Sequence, residues 1–275
     1  MPSSANLPSY EPMLAAYHHA FAAELEAMVG TLPIREGDRV LEMACGDGAY
    51  SPWLARRVGP SGALLAVDIA PQYLAVARAE SSRSPMAARV AHVAADIRRL
   101  PLPRGAFDLV WCAQSLYSLP DQLAAMRTMA DLARPGGTVA VLEDDTIHQL
   151  VLPWPPDVEL AVRAAELEAF ADETGSSRKY YVGRRLGSLF REAGLAEVRA
   201  RAFASTRQAP LDAPVRAFLA AYLDELRDRV VDRLPHKIRD RFTMLVDPSS
   251  PDSLLDSPDL ILTCLDHVVS GVRPR

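Results

Sequence analysis

The chain has 275 residues, with 30 Lys and Arg side chains against 35 Asp and Glu side chains, so its formal net charge is −5. Apolar residues make up 49% and charged residues 24% of the chain, which excludes a disordered or collagen-like protein and is enough for a full core. The acidic balance argues against a nucleic-acid-binding surface, which needs a basic face.

Cysteine usage and hydropathy indicate the compartment. Cys45, Cys112 and Cys264 have neither metal-site nor disulfide spacing, which is typical of a reducing environment. No apolar run is long enough for a membrane span, and the first residues lack the basic region and apolar stretch of a secretory signal. We therefore expect a cytoplasmic protein without a metal site.

The N-terminal part is predicted to be an irregular Pro-containing arm over residues 1–12, followed by one amphipathic helix over 13–29. We treat residues 1–30 as an arm and lid helix. From residue 40 onward, strand-like and helix-like segments alternate. The predicted strands are 40–43, 63–67, 90–94, 107–112 and 138–142, and the predicted helices are 52–58, 71–79 and 121–133. This alternation predicts a parallel sheet with helices on both faces, whose strand ends form one ligand-binding edge.

The alternation stops after residue 143. Further helices are predicted over 157–171, 183–193 and 213–234, and further strands over 196–204 and 259–270. We expect one α/β domain over residues 31–275. Its insertions, at about 145–182 and 205–250, are expected to cover the ligand edge.

The most informative stretch is the loop after the first strand, in Val40-Leu41-Glu42-Met43-Ala44-Cys45-Gly46-Asp47-Gly48. Small residues let the backbone come close to a ligand, and the helix that follows offers unpaired N–H groups. Such a loop suits either a dinucleotide or a nucleoside.

Acidic residues at the strand ends favour the nucleoside. Glu42, Asp68 and Asp96 end the first three predicted strands and are expected to face one crevice. Asp68 can accept both hydroxyls of a ribose, and Asp96 can accept an adenine amino group. Glu42 repels a pyrophosphate and suits either a cationic ligand or a loop that must be held in shape. Helix capping is the alternative role for Asp68 and Asp96.

These segments together resemble the class I S-adenosylmethionine-dependent methyltransferases, particularly small-molecule enzymes of the ubiquinone/menaquinone-biosynthesis and natural-product types. The resemblance covers about residues 35–145 and rests on VLEMACGDG, AVDIA, VAADI, FDLVWCAQSLYSL and RPGGTVAVLE. It implies a Rossmann-like, doubly wound, mostly parallel sheet with an antiparallel last strand and helical lid insertions.

The resemblance also implies S-adenosyl-L-methionine as the cofactor. Gly46 and Gly48 are expected at its methionine part, Asp68 at the ribose, Asp96 and Ile97 at the adenine. Cys112, Ala113 and Gln114 are expected near the sulfonium. The full cofactor-binding set is Tyr17, Glu42, Ala44, Cys45, Gly46, Gly48, Asp68, Ile69, Asp96, Ile97, Cys112 and Gln114.

Two side chains are candidates for closure and catalysis. Tyr17 is expected to close over the cofactor, with packing of an amphipathic helix as the alternative. His148, just past the fifth strand, is a candidate proton acceptor, with a surface or capping role as the alternative. Ala44 stands where the family usually has Gly, so we expect a negative φ there.

The predicted function is in-line transfer of the sulfonium methyl to an O-, N- or C-nucleophile of a small molecule. The segment CAQSLYSLP lacks the Asn/Asp-Pro-Pro-Tyr pattern of enzymes acting on amino groups of nucleic-acid bases, so no nucleic-acid partner is expected. The alternatives are a protein of the same fold that binds S-adenosylmethionine without methyl transfer, or a nicotinamide oxidoreductase. The oligomeric state does not follow from the sequence.

Overall fold

The computed structural model describes residues 12–82, 90–175 and 177–275. Within these residues the chain forms one sheet of eight strands. They are β1 (Arg39–Met43), β2 (Ala63–Asp68), β3 (Val90–Ala94), β4 (Phe107–Ala113), β5 (Ala133–Glu143), β6 (Leu150–Val151), β7 (Ala196–Gln208) and β8 (Ile261–Val272).

The sheet order is β3-β2-β1-β4-β5-β8-β6, with β7 also paired to β8. Strands β1 to β5 are parallel to one another, and β8 runs antiparallel to β5, β6 and β7. The predicted parallel sheet with an antiparallel last strand is therefore confirmed. Because the chain leaves β3 at one edge and returns as β4 beside β1, the strand order reverses between β1 and β4. In open α/β sheets, ligands bind at such a switch point, outside the carboxyl ends of the strands.

Helices cover both faces of this sheet. The described α-helices are α1 (Pro12–Ala20), α2 (Ala22–Gly30), α3 (Ser51–Val58), α4 (Pro71–Ser82), α5 (Gln122–Leu132), α6 (Pro156–Thr174), α7 (Leu186–Glu192), α8 (Ala213–Val230) and α9 (His236–Val246). No helix in the described ranges combines the length and apolar character needed to cross a membrane.

Side chains alternate along the central strands between two separate hydrophobic cores. Val40, Trp111 and Leu142 lie in the first core, which is closed by α1, α2, α3, α6, α8 and α9. Leu41 directly follows Val40 and Val110 directly precedes Trp111, yet both lie in the second core, under α5 and α7. Burial on both faces explains why these strands are almost continuously apolar.

Several predicted boundaries were wrong. The single helix expected over 13–29 is two helices, α1 and α2, separated at Phe21. The short strand β6 and the helix α9 were not predicted. The irregular arm expected over 1–12 lies outside the described residues, apart from Pro12, where α1 begins.

The backbone of Ala44, in the loop after β1, also differs from expectation. Its φ is +53°, so the expected negative φ is wrong. The loop keeps the left-handed turn for which a glycine is best suited, and the alanine methyl is accommodated at a conformational cost of roughly 1–2 kcal/mol.

We therefore expect Ala44→Gly to raise the free energy of unfolding by about 0.5–1 kcal/mol, since relief of the left-handed strain exceeds the extra flexibility of the unfolded chain. Urea unfolding of the ligand-free protein measures this. The matched control is Ala75→Gly at an exposed position inside α4, which should lose about 0.5–1 kcal/mol. Equal destabilisation by both substitutions would contradict the strain at Ala44.

Candidate functional site

The loop between β1 and α3 turns at the carboxyl edge of the sheet. Gly46 and Gly48 have φ of +53° and +82°, so this loop contains three left-handed residues with Ala44. A Cβ added to Gly48 would lie 2.9 Å from Cβ of Ala77 in α4, so only glycine fits this close approach. The Cys45 N–H donates to the Val67 carbonyl, 3.0 Å away, which ties the loop to β2.

Asp68, the last residue of β2, organises this loop. One carboxylate oxygen accepts the Gly46 N–H at 2.9 Å, and the other accepts the Ala70 N–H at 2.8 Å. Its side chain is buried, with 8% of the residue exposed. Each carboxylate oxygen has about two acceptor positions, so one position on each is left for a ligand. The geometry is compatible with two vicinal hydroxyl groups, and the ribose role stays a prediction.

Glu42 lies one residue before the end of β1 and is completely buried. The Ser51 hydroxyl donates to one of its carboxylate oxygens at 2.5 Å, whereas the other oxygen has no hydrogen-bond partner. Burial raises the pKa of Glu42 to about 8, and the charges of Asp47 and Asp68 act in the same direction. This side chain is therefore short of a cationic or hydrogen-donating neighbour.

Asp96 follows β3 and is held by Arg98. Its carboxylate accepts the Arg98 backbone N–H and pairs with the Arg98 guanidinium at 2.7 Å. These interactions with Arg98 lower the pKa of Asp96. The capping role considered for Asp96 is thus present, and an adenine contact would share a carboxylate that is already engaged. Ile97 packs into the second core, and Ile69 is half-buried.

Gln114 follows β4 with a left-handed φ of +47° and is 7% exposed. Its side-chain oxygen accepts the Tyr50 hydroxyl at 2.9 Å and lies 2.7 Å from Nε2 of His18. Its side-chain nitrogen is buried without a partner. Cys112 belongs to the second core, on the sheet face away from Gln114's partner Tyr50, and burial raises the pKa of its thiol.

Tyr17 lies on α1 above the first core. Its hydroxyl donates to Oδ2 of Asp266 in β8 at 2.6 Å, and its ring packs on Phe21 and Phe218. Core packing, the alternative considered for Tyr17, is therefore part of its role. Closure over a cofactor stays a prediction.

The side-chain ring of His148 packs near Tyr181 and has no described contact with the loop after β1, Asp68 or Gln114. It is exposed, and its ring centroid is 5.8 Å from that of Tyr181. Partial burial lowers its pKa, and Arg163 and Arg184 lower it further. The polar contacts of the loop, Asp68 and Gln114 do not include His148, so the structure offers no direct support for its predicted catalytic role.

Sequence reasoning missed several residues of the crevice. Tyr50 and Ser51 directly follow the glycine loop, and the sequence signal for them was their place at the start of α3. His18 was not among the predicted site residues. Asp266 is an acidic residue within the otherwise largely apolar final strand. That interruption of the pattern could have indicated a buried carboxylate.

The charges near the loop allow a test of the expected ligand. The charges of Asp47 and Asp68 raise the pKa of Glu42. The carboxylates of Glu42, Asp47 and Asp68 all raise the pKa of the Cys45 thiol. A diphosphate would be repelled here, whereas the ammonium and sulfonium of S-adenosylmethionine would be attracted. The unpartnered oxygen of Glu42 and nitrogen of Gln114 add polar groups that a ligand can satisfy. The donor set therefore fits this cofactor better than a nicotinamide dinucleotide.

Comparison with known proteins agrees with this geometry. Residues 40–137 match the family model described as a methyltransferase domain. The chain is 32% identical over 118 residues to the methyltransferase GfsG of Streptomyces halstedii, a match covering 43% of this chain and 42% of GfsG. It is 36% identical over 110 residues to the ubiquinone/menaquinone biosynthesis C-methyltransferase UbiE of Pseudomonas paraeruginosa, covering 40% of this chain and 43% of UbiE.

The matched segments thus span less than half the length of these relatives. Among solved structures, the YcgJ protein of Bacillus subtilis superposes with a TM-score of 0.57 at 17% identity, over 92% of this chain and 99% of YcgJ. That likeness extends the shared fold beyond residue 137. Residues 40–137 are therefore similar in sequence to a methyltransferase domain, and they lie within a sheet whose order reverses between β1 and β4.

Proposed function

We propose that this protein transfers the methyl group of S-adenosylmethionine to a small-molecule acceptor. The observation that carries the proposal is Asp68, which keeps acceptor positions free on both oxygens beside a left-handed loop. The negative field of Asp47 and Asp68, beside the buried Glu42, suits a cationic nucleoside. Methyltransferase relatives named for ubiquinone, menaquinone and rifamycin substrates support a small-molecule acceptor.

In this proposal each strand end has its own part of the cofactor. Asp68 binds the ribose hydroxyls, and the backbone of Gly46 and Gly48 lies against the methionine part. Asp96 and Ile97 contact the adenine, and Gln114 lies near the sulfonium. Ala44, Cys45, Ile69, Cys112 and Tyr17 complete the surroundings of the cofactor, with α1 as its cover.

The cofactor supplies a methyl group already activated on a sulfonium. The residues of the chain bind and orient the two reactants and exclude water, and such alignment contributes roughly 7–11 kcal/mol. A general base adds about 10²–10⁴-fold in rate. His148 remains a candidate for that role, and the segments at 145–182 and 205–250 are proposed to enclose the acceptor. A cytoplasmic location and the absence of a nucleic-acid partner remain predictions.

The first test replaces Asp68 by Asn, which preserves shape and removes the charge. S-adenosylhomocysteine binding by isothermal titration should weaken about ten- to hundredfold, because charge-assisted hydrogen bonds to the ribose contribute roughly 1.5–3 kcal/mol. Asp212→Asn is the control, since Asp212 caps α8 by accepting the Val215 N–H. Unchanged binding by Asp68→Asn, or wild-type protein that binds NAD in preference, would refute the assignment.

The second test concerns the buried charge of Glu42. Between pH 4.5 and about 8 the unfolded chain has released this proton while the folded protein still holds it, so raising the pH favours unfolding. The free energy of unfolding of ligand-free Glu42→Gln should fall less steeply with pH than that of the wild type. The difference in slope over this range should be up to about 1.4 kcal/mol per pH unit. Denaturant unfolding at a series of pH values measures the slope.

The matched control for Glu42→Gln is Glu192→Gln, at an exposed position on α7. The slope of this control should match the wild type. Glu143 is equally buried with a pKa of about 8, so a residual slope remains in Glu42→Gln. A slope identical to the wild type in Glu42→Gln would show that its carboxylate is ionised in the folded protein.

A further inference from the structure

Two acidic residues lie close together where β5 ends beside the middle of β8. In the antiparallel ladder Leu142 pairs with Val268 and Glu143 with His267, so the next residues in register are Asp144 and Asp266. Residues two apart on a strand share a face, which puts this pair on the side of Leu142 and Val268, in the first core.

One carboxylate oxygen of Asp266 is buried without a hydrogen-bond donor. Asp266 is 0% exposed; Tyr17 donates to its Oδ2, while its Oδ1 has no partner. Asp144 is also buried, and no described residue donates a hydrogen bond to its carboxylate. A buried carboxylate oxygen without a donor is costly, so Oδ1 of Asp266 is expected to meet a donor from elsewhere.

Among the described residues, none of those that shift the pKa of either carboxylate is positively charged. Glu143, Asp145 and Asp266 all raise the pKa of Asp144, after burial itself. The pKa of Asp266 is raised by burial to about 6, against the Tyr17 hydrogen bond. The guanidinium near this end of β5, that of Arg184, is paired with Asp145.

Another buried polar group without a partner lies under α1, as Asp266 does. The buried side-chain nitrogen of Gln114 has no acceptor, and the Gln114 oxygen faces His18, the neighbour of Tyr17 on α1. Helix α1 therefore covers Gln114 and Asp266 at the same time. The described residues contain no group of three His, Cys, Asp or Glu arranged to hold a metal ion, so an organic ligand fits these groups better.

We propose that Asp144 and Asp266 form the acceptor subsite and bind a primary or secondary amine as the methyl acceptor. This inference rests on the proposed function, because it identifies the second substrate of the same site. The N–H groups of an amine would reach Oδ1 of Asp266 and the Asp144 carboxylate. Tyr17 is a positioning residue, since its hydrogen bond to Oδ2 leaves Oδ1 for the ligand.

The chemistry of the pair suits methyl transfer to nitrogen. An amine that enters as ammonium gives one proton to the carboxylate pair, and its freed lone pair forms the new N–C bond. The C–S bond breaks at the same time, and its electron pair stays on the sulfur. The product is a methylated ammonium ion, and the carboxylate pair then releases its proton to solvent.

Binding to protein saturated with S-adenosylhomocysteine tests the assignment. The probes are a series of primary amines from butylamine to phenethylamine, each paired with the alcohol of the same skeleton, titrated by calorimetry. At least one amine should bind, and its alcohol should bind about tenfold more weakly or not at all. Asp144→Asn and Asp266→Asn should each weaken that amine by about tenfold or more while S-adenosylhomocysteine affinity stays unchanged.

The control is Asp121→Asn, whose carboxylate caps α5 by accepting the Ala124 N–H and whose amine affinity should equal the wild type. If Asp266→Asn does not fold, Asp144→Asn decides the matter alone. Binding of no amine in the series, equal binding of the alcohols, or full amine affinity in the folded variants would overturn the acceptor assignment. Failure of the wild type to bind S-adenosylhomocysteine in the first titration would overturn the proposed function itself, and this assignment with it.

Discussion

A cluster of buried carboxyl groups near the carboxyl ends of the central strands is the constraint on which this site depends. Glu42 and Glu143 are each 1% exposed, and Asp266 is completely buried. Burial raises the pKa of each of them, and nearby carboxylates raise the pKa of Glu42 and Glu143 further. Such an arrangement is costly for the protein alone and becomes favourable when a cation arrives. The geometry therefore favours a positively charged ligand before any particular ligand is considered.

Several of these carboxylates also shape the crevice. Glu143 accepts backbone N–H groups of Ser115 and Leu116 at 2.9 and 2.5 Å, which holds the turn after β4. Asp68 does the same for the loop after β1 through Gly46. The same residue type thus orders the loops and sets the local field. Neutralising one of these carboxylates is expected to affect loop geometry and ligand affinity together.

Local patterns were sufficient to predict the parallel part of the sheet. The alternation of strands and helices predicted the parallel strands, because it depends on neighbouring residues, whereas the antiparallel β8 was expected only from the family resemblance. The left-handed Ala44 was not predictable in this way, because the tertiary position of the loop overrides the preference of alanine. The break between α1 and α2 likewise follows from how both helices pack on the sheet.

The contacts that complete the crevice join distant parts of the chain. Tyr17 and Asp266 are 249 residues apart, and His18 and Gln114 are 96 residues apart. Without an alignment of homologues, a single sequence contains no signal that pairs such residues. His148 was chosen for its place after β5, yet that segment turns so that Ile147 is buried while the His148 ring is exposed.

A crystal structure of the protein with S-adenosylhomocysteine is the most direct test of a cation-binding crevice organised by Asp68. The account predicts both ribose hydroxyls on the Asp68 carboxylate, and the homocysteine part along the loop of Gly46 and Gly48. A nucleoside found elsewhere on the molecule, or a phosphate-bearing compound seated against Asp68, would contradict it.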